Sequence, residues 1–144
     1  MKPEILQDLM AIQQLVYRYA RAADNRDADA MAACFADQMV LQGPGFEIVE
    51  NVAAVVIDGL SIYDWTMHNV HNLLYEVDGD QASGEAYCVA SHLLEQHGRK
   101  VKLDWYIRYR DQLVRQNGEW RFSQRRLSVE YTTTVPVSPL GAAA

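Results

Sequence analysis

Residues 81–95 read QASGEAYCVASHLLE, and their alternation decides the architecture. By strand parity Ala82, Gly84, Ala86, Cys88, Ala90 and His92 share one face, and Ser83, Glu85, Tyr87, Val89, Ser91 and Leu93 share the other. One face is thus a row of small side chains ending at a histidine. Such a row leaves room for a helix, or for an unfilled pocket, to lie close to the strand. Three further strand-like segments accompany it, at 66–76, 100–115 and 119–132. The breaks between the four carry turn chemistry: Asp78-Gly79-Asp80, His97-Gly98 and Asn117-Gly118. The second half of the chain therefore predicts a long antiparallel meander.

Upstream the period changes. Ile5, Leu9, Ile12, Val16, Tyr19 and Ala23 recur at threes and fours, and Leu6, Leu15 and Ala20 widen the stripe, which predicts a helix over 4–23. Asp24-Asn25-Arg26-Asp27 breaks it, and Asp27 or Asp29 can cap a short second helix running through Phe35. Met39-Val40-Leu41-Gln42 reads as a short strand ended by Gly43-Pro44-Gly45. A third helix is expected from Val52 to about Leu60, with Asn51 as its cap. Helices first and a meander second give an α+β domain, with three N-terminal helices packed on a curved, mainly antiparallel sheet. No linker or repeat splits residues 1–144, so a single domain is expected, and Val135–Gly141 should leave the last strand to fold over an edge or a pocket mouth.

Composition narrows the partners. The chain has 49% hydrophobic and 22% charged residues, with 13 basic against 19 acidic side chains, a net charge of −6. Nucleic acid and anionic membranes select Lys/Arg clusters, and the longest basic run is Arg125-Arg126. Two cysteines, Cys34 and Cys88, sit among small apolar neighbours, as free thiols in a reducing compartment do. The N-terminus opens directly into a helical pattern and no stretch reaches the ~20 apolar residues of a membrane span, so a cytoplasmic protein is expected.

Asp24 stands at the C-terminal end of the first helix, where the helix dipole disfavours an acid, which marks it for a role beyond solvation. His68 and His71 fall on opposite faces of a strand and cannot clamp a metal as a helical pair would. With no Cys or carboxylate at ligand spacing, neither a metal nor a cofactor is expected. Parity places Val70 and Asn72 beside His68, and His92 ends the small-residue face, so both histidines and Asn72 are candidates to look inward. Arg108 is central in the longest strand. If buried, it must pair with a carboxylate or await an anionic ligand. No phosphate-binding glycine loop, nucleophile elbow or reactive Cys–His arrangement is present.

The run from Ile12 to Asp24, then Asp29-Ala30-Met31 and Cys34-Phe35, resembles the opening of SnoaL-like proteins of the NTF2-like superfamily. The stretch from His68 to Ala82 resembles the family's first long strand and hairpin. Its last hairpin is matched by Arg108-Tyr109, Leu113-Val114-Arg115 and Gly118-Glu119-Trp120-Arg121-Phe122. The resemblance implies an NTF2-like (cystatin-like) cone enclosing a pocket. It is closest in site pattern to two cofactor-independent lyases, scytalone dehydratase and hexachlorocyclohexane dehydrochlorinase. The first implies roles for Asp24, His68 and His92; the second for Asp24, His68 and Arg108, although its lysine is Tyr19 here. The reaction so implied is an elimination. His68, oriented by Asp24, removes a proton; His92, or a tyrosine-bound water, acts as general acid; Arg108 steadies developing charge; Tyr19, Tyr106 and Asn72 orient a small cyclic or aromatic substrate. A cyclase or isomerase, a non-catalytic binder and an accessory subunit of a ring-hydroxylating oxygenase are the alternatives. A homodimer or homotrimer is implied.

Overall fold

A computed structural model describes residues 1–138. Helix α1 (Pro3–Asp24) starts at a proline suited to a first helical turn and buries Ile12, Leu15, Val16, Tyr19, Ala20, Ala22 and Ala23. Each large apolar side chain so buried contributes about 1.5–3 kcal/mol. Helix α2 (Ala28–Ala32) is capped by the Asp27 carboxylate, which accepts from the Ala30 N–H at 2.9 Å. Helix α3 (Val52–Leu60) follows Asn51, which is left-handed and gives no side-chain cap.

The strands are β1 (Phe35–Gly43), β2 (Phe46–Ile48), β3 (Trp65–Asp78), β4 (Gln81–Gln96), β5 (Arg99–Gln116) and β6 (Glu119–Pro136). They form one sheet in the order β2-β1-β6-β5-β4-β3. All pairs are antiparallel except β1 with β6. The β4–β5 and β5–β6 turns hold His97-Gly98 and Asn117-Gly118 with φ of 52°, 75°, 53° and 79°, the primed geometry that matches strand twist. Three expectations are corrected by this arrangement. The first strand begins at Phe35, so the second helix is shorter; β2 lies beyond Gly43-Pro44-Gly45; and β6 carries Val135 and Pro136, where Val137 N–H still reaches the Lys100 carbonyl at 3.2 Å. The tail beyond Ser138 lies outside the described residues.

The helices cover one face of the sheet. There Ala82, Ala86, Cys88, Ala90 and His92 are buried, as the alternation of 81–95 requires. A Cβ at Gly84 would overlap the Leu74 carbonyl oxygen and the Tyr75 backbone, so only glycine lets β3 come this near. The sheet is not closed, and α3 stands against α1, α2 and β1 rather than over the central strands. Accordingly Val56, Ile57 and Leu60 of α3, and Trp105, Leu127 and Val129 of the sheet, touch the core but remain partly exposed. No described helix is long and apolar enough to cross a membrane.

Three bulges shift which residues face inward. In β3, His71 and Asn72 together oppose Tyr87 of β4; in β6, Ser123 and Glu130 are the extra residues. Each reverses the inside–outside parity of the residues beyond it.

Candidate functional site

Three elements bring Asp24, His68 and His92 to one place. Asp24 ends α1, His68 lies on the inner face of β3, and His92 lies on β4 across from Thr66. The Asp24 Oδ1 is 2.7 Å from Nδ1 of His68 and accepts the Thr66 hydroxyl at 3.0 Å; Oδ2 accepts the His68 backbone N–H at 3.0 Å. Three donors thus answer a carboxylate that the helix end alone would disfavour. Burial works against ionisation of Asp24, but the hydrogen bonds from His68 and Thr66 outweigh it and hold the carboxyl below its ordinary range.

Because ionised Asp24 can only accept, the proton at this contact sits on Nδ1 of His68, and in the neutral imidazole Nε2 presents a free lone pair. The His68 side chain is 9% exposed, that of Asp24 24%. Among the described residues Nε2, the ring nitrogen turned away from Asp24, has no hydrogen-bond partner. Beside the pair a crevice lined by Tyr17, Ala20, Arg21, Asp24, Asn25, His68 and Val70 opens between α1 and β3.

His92 is 1% exposed, its ring 6.4 Å from that of His68 and covered by Tyr63 at 4.4 Å and Trp105 at 4.8 Å. Burial pushes its pKa down, and Nδ1 donates to the Leu103 carbonyl at 3.0 Å. His92 is therefore neutral, with Nε2 as an acceptor. That protonation state suits a hydrogen-bond partner rather than the proton donor expected from the sequence.

The other candidates lie elsewhere. Arg108 is on the outer sheet face, half exposed, over the Tyr87 ring at 4.9 Å and 3.9 Å from Glu130. Tyr106 shares that face and stacks on Tyr131 at 4.2 Å. Asn72 falls in the β3 bulge and is exposed. Tyr19 is inside but embedded in the core, packed on Phe35, Tyr109 and Phe122.

The buried arginine is Arg125. Its Nε and Nη2 bind both oxygens of Asp111 at 2.8 and 3.1 Å, and its guanidinium lies 3.8–4.4 Å from the ring centres of Tyr109, Tyr19 and Phe122. Tyr75 donates its hydroxyl to Asp111 at 2.5 Å. The sequence did hold a signal for it. Asp111 shares the apolar face of Ile107, Tyr109 and Leu113, and a carboxylate on such a face requires a buried cation.

Among known structures, a Mycobacterium tuberculosis protein of unknown function is 28% identical over 90% of this chain and 77% of its own, with a TM-score of 0.79. A candidate scytalone dehydratase from Novosphingobium aromaticivorans (23% identity, 96% and 97% coverage, TM-score 0.79) shares the fold. So does a hexachlorocyclohexane dehydrochlorinase from Novosphingobium barchaimii (20%, 93% and 96%, TM-score 0.80). No match was found among curated proteins. The SnoaL-like domain pattern matches residues 4–126, spanning all three helices and the sheet as far as Arg126. With its α+β cone and this match over most of its length, the chain belongs to the SnoaL-like family of NTF2-like proteins.

Proposed function

We propose that the chain is a cofactor-independent lyase in which Asp24 and His68 form the proton-transfer pair. The observation that carries this is the 2.7 Å Asp24–His68 contact beside a crevice that both residues line. Nε2 takes a proton from carbon beside a carbonyl or a leaving group, and ionised Asp24 steadies the imidazolium that forms. The C–H electron pair becomes the new C=C bond as the C–O bond breaks. The imidazolium then returns the proton to the departing oxygen, releasing water on the same face. A halide would leave without that second transfer. The similarity to dehydratase and dehydrochlorinase structures supports this reaction class for a small cyclic substrate. His92, sealed beneath Tyr63 and Trp105, stands behind His68 rather than in the crevice. Arg108, Tyr106 and Asn72 have no part in the step, because none faces the pair.

The test uses two probes: 3-hydroxycyclohexanone, read by formation of the enone and by solvent-deuterium exchange beside the carbonyl, and γ-hexachlorocyclohexane, read by chloride release. Elimination or exchange by the native chain, lowered about 10²–10⁴-fold in both Asp24→Asn and His68→Ala, is the expected result. Undiminished turnover in either variant overturns the proposal. The outer sheet face, where Trp65, Met67 and Tyr131 are exposed, is where we place self-association. Sedimentation reads it.

A further inference from the structure

Four non-glycine residues have positive φ among the described ones. Asn51, His97 and Asn117 are of the types that visit this region most readily; Arg26, at φ 55°, is not. Glycine or asparagine is the usual residue just past a helix end, so a long cation is held here against backbone preference. Its side chain shows what the strain supports. Nη1 donates to the Ala23 carbonyl at 2.8 Å and to the Thr66 Oγ1 at 2.7 Å. A guanidinium can only donate, so Thr66 must accept from Arg26 and spend its single proton elsewhere. That proton goes to Oδ1 of Asp24 at 3.0 Å, the same oxygen that meets His68. Thr66 is 1% exposed, so no water competes to turn its hydroxyl.

We propose that Arg26 is a positioning residue of the Asp24–His68 pair, acting by fixing the Thr66 hydroxyl onto the Asp24 carboxylate. This rests on reading that pair as the proton-transfer centre. The relay runs guanidinium to hydroxyl to carboxylate to imidazole, from the loop after α1 to β3 and back to the helix end. Each link is a hydrogen bond with a charged group at one end or the other. The charged or titratable groups around it are Arg21 across the crevice, Asp27 next along the chain, His68, and His92 from β4. Arg26 needs no contact with substrate to do this.

The competing view is that Arg26 only closes the Ala23 carbonyl at the end of α1. Arg26→Gly separates the two, since glycine relieves the left-handed backbone while removing the relay. Imidazole ¹⁵N shifts of His68 read the pair without any substrate. In the native chain they report a proton fixed on Nδ1 by Asp24; in Arg26→Gly the carboxylate, no longer held by the Thr66 hydroxyl, turns partly from the ring, and a mixture of tautomers is expected. With the elimination probe, turnover should fall, because Asp24 loses a donor that holds its carboxylate against His68. The loss should fall on kcat, with KM little changed. Thr66→Val keeps the shape and removes the hydroxyl, so it should reproduce the effect, and the double variant should be no worse than either. An unchanged His68 tautomer in Arg26→Gly, or in Thr66→Val should the first not fold, overturns the proposal. Inactivity toward the probes would count against the lyase reading alone and leave the spectroscopic result decisive for Arg26.

Discussion

Two of the molecule's acid–base pairs, Asp111–Arg125 and Asp24–His68, differ in what is left over. Asp111 and Arg125 sit at 1% exposure, with both carboxylate oxygens bound to the guanidinium, Tyr75 adding a further donor, and aromatic rings closing the cation. Asp24 and His68 are as well joined, yet they line a crevice, and Nε2 is turned away from the carboxylate. The first pair is sealed in the core and holds the fold. The second keeps one ring nitrogen without a partner, and that surplus is what the proposed proton transfer uses.

The contrast can be broken most sharply at the sealed pair. Asp111→Ala leaves Arg125 charged among aromatic rings and should cost about 3–5 kcal/mol, measured by denaturant unfolding. Asp24→Asn should cost no more than about 1–2 kcal/mol in the same measurement, while removing activity. A smaller effect than that of Asp111→Ala is expected of Tyr75→Phe, which takes one donor from Asp111 and should cost about 1–3 kcal/mol. Next in size is the effect of pH. Burial keeps His92 neutral where the unfolded chain, with its ordinary value of 6.5, takes up a proton. The unfolded state thus binds more protons, so this part of the stability is complete above about pH 6.5 and is lost as pH falls below it. In His92→Gln that slope should flatten, read as Tm against pH. Asp24, held below 3.8, adds a second loss only under stronger acid. Least of all should come from replacing both sealed partners at once, Asp111→Leu with Arg125→Met, which is expected to be near neutral. A large loss there would mean the ion pair does more than fill space.

The legibility of the sequence divides along the same line. The small-residue face of β4 and the convergence of Asp24, His68 and His92 can be read because α1 and the relevant halves of β3 and β4 are regular. Strand parity misplaces Asn72 and Arg125, because an extra residue precedes each in the pleat count: the bulge at His71 turns Asn72 outward, and Ser123 turns Arg125 inward, so that only Asp111 on the facing strand hints at the buried cation. Arg108 misleads for another reason. Parity sets it correctly with Tyr106 and Arg110, opposite Ile107 and Tyr109, but a central place in a long strand does not by itself bury a side chain. The apolar face of β5 is the inner one. The neutrality of His92 comes from Tyr63 and Trp105 closing over it, contacts between segments that no local pattern announces.

The pairing of β1 with β6 has a consequence for how the chain is made. β1 is flanked only by the three-residue β2 and by the last strand, to which it is tied from Phe35–Phe122 to Gln42–Arg126. During synthesis the first strand emerges about eighty residues before the neighbour that completes it. Until then the apolar sides of α1 and β1 have no finished floor to rest on. Assembly of this domain is therefore a late and largely single event, gated by arrival of the C-terminal hairpin, and slower than its helical opening would suggest.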